Sequence, residues 1–151
     1  MAGSSNYRRP EGLRSFLCKQ VYRHLWGMDL DPTSRIATSA YIDRTWPRGV
    51  HVGASTVIDE EAVVLTHDLT RGVRFDTRIG AGCYIGARAI IMPGVSIGDG
   101  AIVRPGSVVT RNVASGSTVS GNPARELGED AQQTATRTDC GKPKRRRRRG
   151  S

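Results

Sequence analysis

The sequence predicts an all-β fold, a parallel β-helix of stacked coils, and three observations predict it. Aliphatic anchors recur at a strict period of six, as Ile79, Ile85, Ile91, Ile97, Val103 and Val109 in unbroken order. Neither a helix nor simple strand alternation produces that spacing. Four residues after each anchor stands a small or modest side chain: Cys83, Ala89, Val95, Ala101, Ser107 and Val113. The composition, with 18 glycines and 5% aromatic residues, suits a thin core with no room for rings. An ordinary β-sandwich rich in Val, Ile and Gly would not keep six anchors in succession at one spacing.

Each hexad reads as one short strand on one face of a prism, its anchor pointing into a narrow core. The small residue four places on fits near a corner. Glycine follows the anchor at Gly80, Gly86 and Gly98, where it is read as permitting a sharp turn, in places at positive φ. Three hexads close a coil, and stacked coils bury one continuous core. A weaker run comes earlier, with anchors Ile36 and Ile42 and then Val52, Ile58 and Val64; Asp43, Gly53 and Asp59 follow three of them as turn formers. The prism is therefore placed at residues 36–127.

Residues 1–35 form an N-terminal arm with an amphipathic helix. Within residues 11–26, Leu13, Phe16, Leu17, Gln20, Val21, His24 and Leu25 recur at three- and four-residue spacing, with Arg14, Lys19 and Arg23 between them. That face is expected to pack on the domain, with a membrane surface as the alternative for a basic amphipathic helix. Gly27 and Pro32 end the helix. Residues 128–151 are polar, charged and free of aromatics, and are expected to be a disordered basic tail.

The formal charge of +9 invites a nucleic-acid reading. Residues 142–151 hold seven of the 23 basic groups and no acidic one, which leaves 16 basic against 14 acidic groups elsewhere. Any weak contact with a polyanion or an anionic membrane is thus assigned to the tail. The longest uncharged apolar stretches, such as Ala89 to Met92, fall far short of the ~20 residues of a membrane span. The N-terminus lacks the apolar core of a secretory signal, so a cytoplasmic location is expected. Cys18, Cys83 and Cys140 are odd in number and widely spaced, and are read as reduced thiols.

The string from Ile79 to Val103, Ile-Gly-Ala-Gly-Cys-Tyr-Ile-Gly-Ala-Arg-Ala-Ile-Ile-Met-Pro-Gly-Val-Ser-Ile-Gly-Asp-Gly-Ala-Ile-Val, is followed by Pro105-Gly-Ser-Val-Val-Thr-Arg and later by Gly121-Asn-Pro-Ala-Arg. It resembles the C-terminal half of the hexapeptide-repeat acyltransferases, in the branch of sugar O-acetyltransferases and serine acetyltransferase, over roughly residues 64–127. The resemblance implies a left-handed coil, against the right-handed rule for most parallel crossovers. It implies a homotrimer with acetyl-CoA as acyl donor in the groove between two subunits, no metal, and a sugar-type acceptor of polysaccharide or glycolipid precursors. Both hydroxyl and amine acceptors fit that chemistry.

In that family the catalytic histidine stands just before a loop that interrupts the coils. Val64-Leu-Thr-His-Asp occupies the place here, so the role falls to His67. From Val64 to Ile79 is 15 residues, three more than two hexads, and a short loop is expected to leave the prism there. A neutral imidazole, with its pKa near working pH, suits a base that takes the acceptor's proton as it attacks a thioester. The oxyanion that forms requires hydrogen-bond donors. By the same resemblance the pantetheine arm passes Gly86, Ala87, Pro105 and Gly106. The nucleotide end meets Thr110, Arg111, Asn122, Pro123 and Arg125, with the arginines suited to phosphate.

The chain departs from the family at Tyr84, where many relatives carry Trp, at Arg104-Pro105, and at Leu69, a polar position in some relatives. Pro105 offers no N–H. Two other readings were weighed. A γ-type carbonic anhydrase shares the prism but needs three histidines on zinc, and His24, His51 and His67 are the only three available. A non-catalytic scaffold with a polyanion-binding tail is the other.

Overall fold

The computed structural model describes residues 13–128. The expected tail, Cys140 and residues 1–12 lie outside them. Helix α1 (Leu13–His24) leads into a first coil of strands β1 (Asp29–Leu30), β2 (Arg35–Ile36) and β3 (Tyr41–Ile42). The second coil is β4 (Val50–Val52), β5 (Val57–Ile58) and β6 (Val63–Val64). A hairpin of β7 (His67–Asp68) and β8 (Val73–Arg74) then leaves the prism. The third coil is β9 (Thr77–Ile79), β10 (Tyr84–Ile85) and β11 (Ile90–Ile91), and the fourth is β12 (Ser96–Ile97), β13 (Ile102–Val103) and β14 (Val108–Val109). Strands β15 (Thr118–Gly121) and β16 (Ala124–Glu126) close the C-terminal end as an antiparallel pair.

The strands stack into three faces. Face one is β1-β4-β9-β12, face two runs from β2 through β5, β10 and β13 to β15, and face three is β3-β6-β11-β14. Pairing within each face is parallel and keeps anchor over anchor: Leu30, Val52, Ile79 and Ile97 on face one, Ile42, Val64, Ile91 and Val109 on face three. These side chains are buried and form one apolar column down the prism. A strand of two residues has no stability of its own. Burial of each Ile or Val, at about 1.5–3 kcal/mol, and hydrogen bonds to neighbouring coils hold it in place.

The structure refines the expected repeat in three ways. Val64 on face three and Ile79 on face one are a single hexad step apart in the coil, so the looped-out segment is nine residues longer than one hexad. Val113 is not a corner residue of the hexad begun by Val109. It bridges to Ile97 as the next face-one anchor, because the turn before it is two residues short. The coils begin at Asp29, ahead of Ile36, where the hexad register first becomes legible.

Glycine after the anchor serves close approach rather than a left-handed turn. A Cβ on Gly86 would sit 2.5 Å from Pro105 N and 2.8 Å from Val103 O of the coil above. Positive φ falls instead three residues after the anchor, as at Gly82, Gly94 and Gly106.

The helix forms over Leu13–His24, but the face that turns inward is not the leucine face. Lys19 is buried, and its ammonium donates to the Pro32 and Ser34 carbonyls, each at 2.7 Å. Tyr22 and Trp26 pack on the core, while Leu13, Leu17, Val21 and Leu25 point outward. The cause is the open end of the first coil. Its carbonyls have no coil beneath them, and an ammonium satisfies buried acceptors that leucine cannot.

The two glycine roles separate experimentally. Gly86→Ala forces a methyl into the next coil and should cost about 1–3 kcal/mol or more. Gly106→Ala has open space and meets only the left-handed backbone penalty, about 1–2 kcal/mol, with φ at 71°. Chemical denaturation of both variants should rank Gly86→Ala as the more damaging; the reverse order would refute the stacking role.

Candidate active site

The edge between faces three and one carries the irregular structure, and His67 stands at its root as the first residue of β7. The hairpin is tied to the prism on both arms. Phe75 N donates to Thr66 O at 2.8 Å, and the Thr77 hydroxyl donates to Leu65 O at 2.6 Å. Beneath it lies the turn at residues 43–49, where Trp46 precedes a 3-10 helix (Pro47–Gly49). The Trp46 ring packs on Gly49, where a Cβ would fall 2.3 Å from its Cδ1. The Arg74 guanidinium covers the ring at 5.3 Å from its centroid.

His67 Nδ1 is hydrogen-bonded to Asp43 Oδ2. Asp43 is fully buried, and its carboxylate is a hub. Oδ2 accepts from Thr66 N at 2.9 Å and His67 N at 3.1 Å, with the Thr66 hydroxyl at 3.1 Å; Oδ1 accepts from Thr45 N at 2.8 Å. Burial opposes ionisation of Asp43, yet bonds from Thr66, His67 and Thr45 together outweigh it. Its pKa falls from 3.8 to about 2, because a carboxylate that accepts several N–H donors is held in its charged form. An ionised Asp43 can only accept, so Nδ1 is the donor in this bond and carries the proton in the neutral tautomer. That leaves Nε2 as the nitrogen with a lone pair, on a ring whose side chain is 15% exposed.

Asp43 belongs to this site, whereas by sequence alone it reads only as a turn former. The signal lay in the register: Ile42 pairs with Val64, so Asp43 stacks directly beneath the segment that leads into His67.

The residues expected to hold the acyl donor divide between edges. Gly86 and Ala87 stack with Pro105 and Gly106 on the edge between faces two and three, where Gly106 N donates to Ala87 O at 2.9 Å. Thr110 and Arg111 lie on the edge between faces three and one, above the hairpin's exit. Asn122 and Pro123 form the tip of the terminal hairpin, and Arg125 lies on its second strand. Arg111 and Arg125 are exposed, with no carboxylate paired to either among the described residues. One chain therefore places His67 and the Gly86–Pro105 stack on opposite edges of face three.

The three histidines stand on three separate elements: His24 ends α1, His51 lies on β4, and His67 opens β7. His51 Nδ1 meets Asp29 at 3.0 Å, and its Nε2 lies 3.5 Å from Asp76. No group of three or more metal-ligating side chains occurs among the described residues.

A three-faced parallel coil of hexads, interrupted by one hairpin that carries a carboxylate-oriented histidine, defines a hexapeptide-repeat protein. The family model described as bacterial transferase hexapeptide (six repeats) matches residues 76–111. The chain is 36% identical over 107 residues to YvoF of Bacillus subtilis (strain 168), provisionally named an acetyltransferase, covering 70% of this chain and 62% of that protein. It is 33% identical over 119 residues to serine acetyltransferase 4 of Arabidopsis thaliana, covering 76% of this chain and 33% of that one. A solved hexapeptide-repeat containing acetyltransferase from Vibrio cholerae has the same fold, with a TM-score of 0.60 at 20% identity over 78% of this chain and 82% of the other. The chain belongs to the hexapeptide-repeat acyltransferase family, and its prism is the left-handed parallel β-helix of that family.

The Asp43 hub sets a pH dependence. Its folded pKa lies below the unfolded value of 3.8, so its stabilisation is complete above about pH 4 and is lost as pH falls towards 2. Wild-type stability should fall across that window by up to about 2 kcal/mol. Asp43→Asn should be less stable at neutral pH and lack this step. Equal acid profiles for the two proteins in denaturant titrations would show that Asp43 is not held ionised by the fold.

Proposed function

We propose that the protein moves an acetyl group from acetyl-CoA to a hydroxyl or amine of a sugar-type acceptor, with His67 as general base. The observation that carries this is the Asp43–His67 pair at the foot of the looped-out hairpin. Membership of the acyltransferase family supports the reaction class. As the acceptor oxygen or nitrogen attacks the thioester carbonyl, His67 Nε2 takes its proton. Asp43 stabilises the imidazolium that results and keeps the ring turned outward. Collapse of the tetrahedral adduct breaks the carbon–sulfur bond, and the proton on Nε2 returns to the leaving thiolate. No covalent bond to the protein is needed. On the donor side, the small residues Gly86, Ala87 and Gly106 suit a thin pantetheine arm, and Arg111 and Arg125 suit phosphates.

The division of these residues between two edges supports a site completed by a second subunit. The outward rows of the faces point the same way. Face three presents Tyr41, Val63, Ile90 and Val108 in register, and face two presents Val57, Tyr84 and Ile102 between Arg35 and Thr118 at its ends. Face one presents Asp29, His51, Arg78 and Ser96. A trimer that covers the apolar rows buries face three, the face that joins the His67 edge to the Gly86–Pro105 edge.

Acetyl-CoA consumption with a panel of sugars, nucleotide sugars and amines tests the reaction. His67→Ala should lower turnover by roughly 10²–10⁴ with acetyl-CoA binding retained, and Asp43→Asn should lower it by roughly 10–100-fold. His51→Ala is the control and should have little effect; full turnover in His67→Ala, or a larger loss in His51→Ala, removes His67 as the base.

Assembly is tested separately. A chain of 16.4 kDa should sediment as a trimer of about 50 kDa, and Ile90→Asp in the apolar row should release monomers. A wild-type monomer at micromolar concentration would refute the shared site.

A further inference from the structure

The outward side of α1 is an apolar stripe. Leu13, Leu17, Val21 and Leu25 are 75%, 54%, 47% and 79% exposed, and four-residue spacing sets them one above another along the helix. The inward side is pinned. Lys19 holds two carbonyls at 2.7 Å, and Tyr22 packs on the core. The helix cannot roll over to hide its leucines without withdrawing a buried ammonium from both acceptors.

Charge indicates what covers the stripe. Leu13–His24 holds no acidic residue, and Arg14, Arg23 and His24 join Lys19 along it. Arg44 adds a cation at the helix's C-terminal end, stacked 5.6 Å over the Trp26 ring. Of the nearby carboxylates of the first coil, Asp29 meets His51, while Asp31 accepts from Thr33 and offsets part of the charge of Arg23 and Lys19, leaving Arg14 and Arg44 in excess. Two copies packed stripe to stripe would bring Arg14 and His24 of each into one interface with no carboxylate on either helix. An anionic bilayer accepts both components, the leucines at the headgroup boundary and the cations at lipid phosphates. We propose that α1 is a docking surface for an anionic lipid bilayer, lying in its plane with Leu13, Leu17, Val21 and Leu25 inserted. The helix then sets the N-terminal end of the prism against the membrane. This surface is separate from the His67 edge.

The test is flotation of the full chain with vesicles of phosphatidylcholine alone or mixed with phosphatidylglycerol. The chain should float with the mixed vesicles and not with phosphatidylcholine alone. The double variant Leu17→Glu and Val21→Glu alters only exposed positions and should keep its melting temperature. Its partition should fall by roughly a hundredfold or more, from the lost burial of two aliphatic side chains. A second variant with Arg145 to Arg149 replaced by serine should still float. The proposal fails if the wild type does not bind mixed vesicles, or if binding survives the helix variant and disappears with the serine tail. It also fails if the helix variant changes only the oligomeric state, which would assign the stripe to a second copy.

Discussion

Everything in this molecule depends on the rule that no strand is stable within its own coil. Each two-residue strand sends its backbone hydrogen bonds to the coils above and below, as when Gly80 N donates to Ile97 O at 2.8 Å and Gly53 N to Ile79 O at 2.8 Å. Its anchor touches the anchors stacked on either side. Anchor must therefore lie over anchor, and a residue gained or lost within a strand would break every pairing beyond it. Length can change only at the edges of the prism. The short turn before Val113, the turn at residues 43–49 and the hairpin before Thr77 are the places where it does. His67 leaves the repeat at such an edge.

The Asp43 carboxylate turns that geometry into an oriented side chain. A buried charge without partners would cost several kcal/mol, but Asp43 is reached by three backbone N–H groups, an imidazole and a nearby hydroxyl. Two of the N–H donors belong to Thr66 and His67 themselves. The same hydrogen bonds that anchor the hairpin to the coil below thus ionise the carboxylate that orients the ring. Position, tautomer and direction of the histidine follow from one stacking contact between the first and second coils.

The fold was legible because a period of six leaves few alternatives, and Ile79 through Val109 repeat it without a gap. Val113 shows the limit. It stands four residues after Val109 as a corner residue would, and only its bridge to Ile97 reveals a shortened turn. The place of His67 at the foot of the loop was legible by resemblance and by the break in the hexads. Asp43 was not, because its contact with His67 joins residues 24 apart across an irregular turn, and local composition says only that Asp suits a turn. The glycines after the anchors were assigned the right place and the wrong cause, since sequence cannot separate a need for positive φ from a need for no Cβ. Only the stacked backbone of the next coil, such as Pro105 over Gly86, distinguishes them.

The helix teaches the same lesson from the end of the solenoid. Periodicity identifies which residues of α1 share a face, and the ordinary expectation is that the apolar face turns inward. That expectation assumes an apolar receptor. The first coil instead offers carbonyls at its open end along with apolar surface, and terminal units of a repeat array require a cap that satisfies them. Lys19 meets that requirement through a long stem that packs and an ammonium that donates. Once Lys19 is committed inward, the residues on the opposite side of the helix must face out, and those include Leu13, Leu17 and Val21. An exposed leucine stripe is thus a consequence of closing the solenoid with a cation, and it leaves an apolar surface at one end that the other described residues do not cover.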